Sequence, residues 1–86
     1  MVVEEQIKKL KPGQELWYKN LYTLPEKVIV KSVDYLYGEL VINLEDYSYI
    51  SKKEYDSVFL TKEECEKACE VELIEKLNKL RTMMEK

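Results

Sequence analysis

The stretch KVIVKSVDYLYGELVINL, residues 27–44, decides the fold. Its first part carries Val28, Ile29, Val30, Val33, Tyr35 and Tyr37, a β-branched and aromatic run that fits a pleated, half-buried strand. Gly38 supplies a tight turn, and Glu39 to Leu44 then alternates Leu40, Ile42 and Leu44 against Glu39, Val41 and Asn43, the period of a strand with one wet face. Inside the first strand the parity changes, because Val28 and Val30 share one face while Val33, Tyr35 and Tyr37 share the other. A bulge near Lys31 and Ser32 is the device that lets both sets serve one core.

Towards the N-terminus, Val3, Ile7 and Leu10 recur at helical spacing, with Glu4 and Glu5 early and Lys8 and Lys9 late, which predicts a short helix within residues 1–11. Pro12 and Gly13 stop it, and Gln14 to Tyr22 reads as the first strand. Towards the C-terminus, Glu45-Asp46 turns the chain into a strand over Tyr47 to Ser51. The charged segment Lys52 to Asp56 follows, then a short apolar strand, Val58 to Leu60. Thr61 with Glu64 is a capping box, and from Lys62 to Met84 there is neither Gly nor Pro, so one long helix closes the chain. The expectation is one α+β domain over 1–86, with the N-terminal helix in 1–11, a β-meander in 14–60 and the C-terminal helix in 61–85. About five short twisted strands in this order predict a small SH3-like or half-open antiparallel β-barrel.

Composition narrows the function classes. Eighty-six residues leave no room for two cores, and 45% hydrophobic with only two Gly and two Pro is too apolar for a disordered chain. Fourteen basic against seventeen acidic residues give a net charge of -3, which argues against a general binder of nucleic acid. The absence of His, of a glycine-rich phosphate loop and of a third Cys removes the usual acid-base, cofactor and metal constellations, so no enzyme activity, cofactor or metal is expected. Cys65 and Cys69, four apart on one helix, read as free, buried thiols. No apolar run reaches signal-peptide or membrane-spanning length, which predicts a cytoplasmic protein with no membrane partner.

Seven tyrosines exceed what a small core uses. Tyr35 with Tyr37 and Tyr47 with Tyr49, each spaced by two, are expected to share strand faces and, with Glu45 and Asp46, to form a contact platform. The same rings would also serve simply to cover the ends of a small barrel. Base stacking on such a platform needs a positive groove, and the nearby lysines sit among acidic residues, so a protein partner is favoured over nucleic acid. Glu66 and Glu70 belong to the acidic first half of the long helix, readable as partner-binding charge or as an ordinary solvated face. Further along, Leu73, Leu77, Leu80 and Met84 keep the four-three spacing of a coiled-coil seam and predict a homodimer; packing across the N-terminal helix at Ile7 and Leu10 is the intrachain alternative.

The segments LKPGQELWY, residues 10–18, and VFLTKEECEKA, residues 58–68, frame a pattern that resembles small proteins encoded by phages and prophages of low-GC Gram-positive bacteria. The apolar tail from Leu73 to Met84 departs from that pattern, whose terminal helix is shorter and more polar. The resemblance implies a non-enzymatic protein of the bacterial host cytoplasm that binds a macromolecule. Its most concrete form is an inhibitor of a bacterial defence complex, anti-CRISPR-like, that sets acidic and tyrosine side chains against a basic groove. A nucleic-acid-binding accessory module with an aromatic barrel face, or a structural oligomerising protein, are the other classes the residues allow.

Overall fold

A computed structural model describes residues 1–85. The elements run α1 (Glu4–Ile7), β1 (Glu15–Lys19), β2 (Pro25–Leu36), β3 (Glu39–Leu44), β4 (Tyr49–Ile50), a 3-10 helix (Lys52–Ser57), β5 (Val58–Phe59) and α2 (Lys62–Met84). The fold is α+β, with one antiparallel five-stranded sheet in the order β4-β3-β2-β1-β5. The sheet does not close, since β4 and β5 are its two edges.

The twelve-residue β2 organises the sheet. Its first half pairs with β1, from Lys19↔Pro25 to Glu15↔Ile29, and its second half pairs with β3, from Val30↔Leu44 to Leu36↔Glu39. The register slips between Val30 and Ser32, leaving Lys31 as the extra residue of the expected bulge. Val28, Val30 and Val33 consequently all reach one core, with Val2, Ile7, Leu16, Leu40, Ile42, Leu44, Ile50, Tyr55 and Val58. Tyr55, on the 3-10 helix, closes one end of this core by donating its hydroxyl to the Leu40 carbonyl, and the Tyr55 carbonyl accepts from Val2 N at 3.3 Å.

A second, smaller cluster lies on the opposite face. Alternation along β1 sends Leu16 and Tyr18 to the main core and Trp17 to the far side; along β5 it sends Val58 inwards and Phe59 outwards. Trp17 and Phe59 meet Cys65, Ala68 and Cys69 of α2, whose small side chains let the helix lie close to the strands. Thr61 starts the helix by accepting from Glu64 N at 3.3 Å. A polar clamp adds to the seat where α2 passes the β1–β2 turn: Thr23 Oγ1 donates to Glu72 Oε2 at 2.8 Å, while Lys19 and Lys76 lie 3.5 and 3.7 Å from the same carboxylate.

Several expectations are corrected. The N-terminal helix is one turn, because after Ile7 the bonds tighten to Lys9 N with Gln6 O and Leu10 N with Ile7 O, and four residues cannot propagate alone. The first strand ends at Lys19, where the Asn20 side chain captures Tyr22 N and Leu24 N and turns the chain. The fourth strand shrinks to Tyr49–Ile50, since Tyr47 has φ 68° and the Asp46 carboxylate holds Ser48 N at 3.0 Å. The outer face of β3 is not wet throughout: Val41 is buried, and Asn43 is tied to Ser32 and Asp34.

The turn between β2 and β3 has left-handed backbone at both central residues, Tyr37 at 51° and Gly38 at 81°. Asparagine is the favoured first residue of such a turn, and tyrosine is a costly one. Tyr37→Asn is therefore expected to stabilise the protein by about 0.5–1 kcal/mol in a urea titration. The clamp generates a pH prediction. The Thr23 hydroxyl, ahead of Lys19 and Lys76, holds the Glu72 carboxyl below its ordinary value, so its contribution is complete above the unfolded-state value and vanishes as pH falls through the folded one. Glu72→Gln should lower the Tm at pH 7, and the loss should shrink as pH falls through the lowered folded-state value.

Candidate functional site

On the side of β2 that β3 vacates, the sheet opens into a cleft. The bond from Glu45 N to Ile29 O, at 3.0 Å, is the last tie between the ends of these strands. Beyond it, towards Pro25, β2 pairs with β1 alone. The cleft so formed has a volume of about 160 Å³, with Val28, Leu44 and Ile50 as its apolar wall and Tyr18, Glu26, Asp46, Ser48, Tyr49 and Glu54 around it. A second groove adjoins it past Glu45, sharing Glu26, Val28, Leu44 and Asp46. Sites for drug-sized ligands start at about 300 Å³, so the cleft suits one side chain rather than a cofactor.

Each lining group is held by its own element. Tyr18, on β1, donates its hydroxyl to Glu54 Oε2 at 3.2 Å across 36 residues of sequence. Burial first, and then the neighbouring Glu54 and Glu26 carboxylates, push the Tyr18 phenol above its ordinary value, so it stays a neutral donor. Asp46 sits in the β3–β4 turn and accepts from both the hydroxyl and the backbone N–H of Ser48, which holds its carboxyl below the ordinary range and keeps it charged. Glu26, Asp46 and Glu54 border the cleft and Glu45 the adjoining groove, while Lys27, which lines that groove, lies 3.6 Å from Glu15 on β1. The site is acidic, with two phenols and an apolar back wall.

The predicted residues are only partly brought together. Tyr49, Glu45 and Asp46 border the cleft and its groove. Tyr47 is 89% exposed in the adjacent turn, with Lys31 Nζ 5.1 Å from its ring centroid. Tyr35 and Tyr37 lie at the other end of β3, beside the 37–38 turn, and Tyr37 is 98% exposed. The expected shared faces do not form, because Tyr37 and Tyr47 occupy left-handed turn positions instead of strand positions. Glu66 and Glu70 are exposed on α2 and border neither the cleft nor its groove; Glu66 lies 3.8 Å from Lys62. Sequence reading missed Tyr18, Glu26 and Glu54, which meet only through pairings between β1, β2 and the 3-10 helix. Alternation along β1 does separate Tyr18 from Trp17, the one local signal available.

Cys65 and Cys69 are free and buried. Burial, followed by the adjacent Cys69, pushes the Cys65 thiol up to about 11, far from the thiolate form that nucleophiles and metal ligands use. No group of three or more Cys, Asp or Glu side chains is arranged to hold a metal among the described residues. No helix among them is long and apolar enough to cross a membrane. No protein-family model matches the chain, and comparison with curated proteins and with solved structures gives no match.

Native protein at pH 7.4 should react with iodoacetamide at Cys65 about 100- to 1,000-fold more slowly than an exposed thiol, and at the ordinary rate in denaturant. Rapid modification of folded protein, read by mass spectrometry, would contradict the buried, protonated thiol.

Proposed function

We propose that this protein is a non-enzymatic binding module whose acidic, tyrosine-bordered cleft receives an arginine or lysine side chain of a partner protein. The carrying observation is the convergence of Glu26, Asp46 and Glu54 with the phenols of Tyr18 and Tyr49 over the apolar wall of Val28, Leu44 and Ile50. Carboxylates recognise the cationic head through charge-assisted hydrogen bonds, the phenol rings offer their faces to it, and the wall accepts its methylene stem.

The most concrete partner is the basic, nucleic-acid-binding groove of a bacterial defence complex, which makes the protein an anti-CRISPR-like inhibitor of the host cytoplasm. Complementary charge supports this reading, with a net -3 on the chain and four carboxylates around the cleft and its adjoining groove. An SH3-like, half-open barrel is the architecture we infer. The β4-β3-β2-β1-β5 order, the long β2 bent at its bulge and the 3-10 helix between β4 and β5 support it.

The test is an NMR titration with an arginine- and lysine-rich peptide, beside an oligonucleotide of equal length and the variants Glu26→Gln and Glu54→Gln. Shift changes confined to Tyr18, Glu26, Asp46, Tyr49 and Glu54, weakened at least tenfold in the double variant, are expected. Shifts spread evenly over all acidic residues, or tighter binding of the oligonucleotide at physiological salt, would refute the cleft.

A further inference from the structure

We propose that the last three turns of α2 pair antiparallel with the same segment of a second copy of this chain. The residues that seat α2 on the sheet are Cys65, Cys69, Glu72 and Lys76. At 100° per residue, Leu73, Leu77, Leu80 and Met84 lie about a quarter turn away from that stripe, which leaves them in solvent. Their exposures are 48, 46, 53 and 76%, and Ile7, which an intrachain arrangement needs against this seam, is fully buried in the main core. The molecule is drawn out to 49 × 26 × 23 Å, in keeping with a helix of about 35 Å.

Charge selects the occupant and its direction. The seam extends without a break through Glu66, Glu70, Leu73, Leu77, Leu80 and Met84, every step being four or three residues. Two parallel copies in register would face each Glu66 and each Glu70 with its own counterpart, and would bring Lys76 beside Arg81 at the flanks. Two antiparallel copies overlapping over residues 73–84 match Leu73 with Met84 and Leu77 with Leu80. Both glutamates then fall outside the overlap, and Lys76 and Arg81 flank Met83 and Ile74 of the other copy. The two glutamates therefore mark where the apolar seam stops, and a second chain running the opposite way is the partner that fits between them.

The β1–β2 turn points the same way. Thr23 fixes this turn at the level of Glu72 and Lys76, yet Leu21, Tyr22 and Leu24 beside it are 94, 81 and 55% exposed. An antiparallel partner brings its Met83 and Met84 to that level, where the turn extends the contact. The helix overlap alone is about 18 Å long and 10 Å wide, well under the roughly 800 Å² per partner of a standard stable interface. The pair is consequently weak and concentration-dependent.

Sedimentation velocity from 5 μM to 1 mM tests the association. The 10.3 kDa chain should move to twice that mass as concentration rises, and Leu77→Glu with Leu80→Glu, both surface changes, should stay monomeric throughout with an unaltered circular dichroism spectrum. Direction is read by mild oxidation of single added thiols, the native pair being buried. Mixed Leu73→Cys and Met84→Cys chains should cross-link to each other, whereas Met84→Cys alone should not, since its two copies lie about 16 Å apart along the axis. A monomer at 1 mM, or efficient linkage of Met84→Cys to itself, would overturn the proposal.

Discussion

One inserted residue, Lys31, sets the geometry on which everything else rests. Without it the side-chain period of two would send Val33 to the face opposite Val28 and Val30, and a single strand could not supply both ends of the core. With it, β2 bends, and its two halves take different neighbours: β1 on one edge of the first half and β3 on the opposite edge of the second. The bend has a second result. Where β3 stops following β2, the sheet opens and Val28, Leu44 and Ile50 are left as the wall of a cleft. The same residue insertion that completes the core therefore creates the concavity that the acidic side chains border.

The seat of α2 depends on a different principle, side-chain size graded along the helix. Cys65, Ala68 and Cys69 are small and bury against Trp17 and Phe59, so the axis approaches the strands closely near the N-cap. By Glu72 the apolar seat has ended and a charged group takes over, bonded to a threonine with φ 58° and flanked by two lysines. A β-branched residue with positive φ is strained, and Thr23 is held there by the hydrogen bonds of its turn and by Glu72 and Lys76. Beyond Lys76 every described helix residue is exposed, and the large apolar side chains Leu77, Leu80, Met83 and Met84 are left uncovered there.

How much of this was legible follows from the range of each cause. β3 and α2 have their predicted bounds, Glu39–Leu44 and Lys62–Met84, because alternation, the Tyr37-Gly38 turn, the Thr61 cap and the absence of breakers are local signals. The bulge was legible for the same reason, since a change of parity is visible in a dozen residues. Boundaries failed where a single side chain diverted the backbone, as at Asn20 and Asp46, and the tyrosine pairs failed with them. Tyr35 and Tyr37 run past the core edge after the bulge, and Tyr47 is turned out of its strand. The cleft escaped for a stronger reason: Tyr18 and Glu54 are 36 residues apart, and nothing local links them.

The two apolar or acidic surfaces that remain uncovered are built on separate parts of the molecule. The cleft uses β1, β2, the end of β3, the β3–β4 turn, β4 and the 3-10 helix, and none of its walls comes from α2. The helix seam, in turn, uses no residue of β3 or β4. The proposed pairing through the seam would leave both clefts open, one on each sheet-bearing end, because the antiparallel overlap spans only the overhanging turns. A partner with two basic sites would meet two clefts on one rigid frame, and the second contact would form at the high effective concentration that the frame imposes. Under the proposed function even a weak helix pairing would be enough, since a bivalent partner that binds only the paired form would add its own binding free energy to the association.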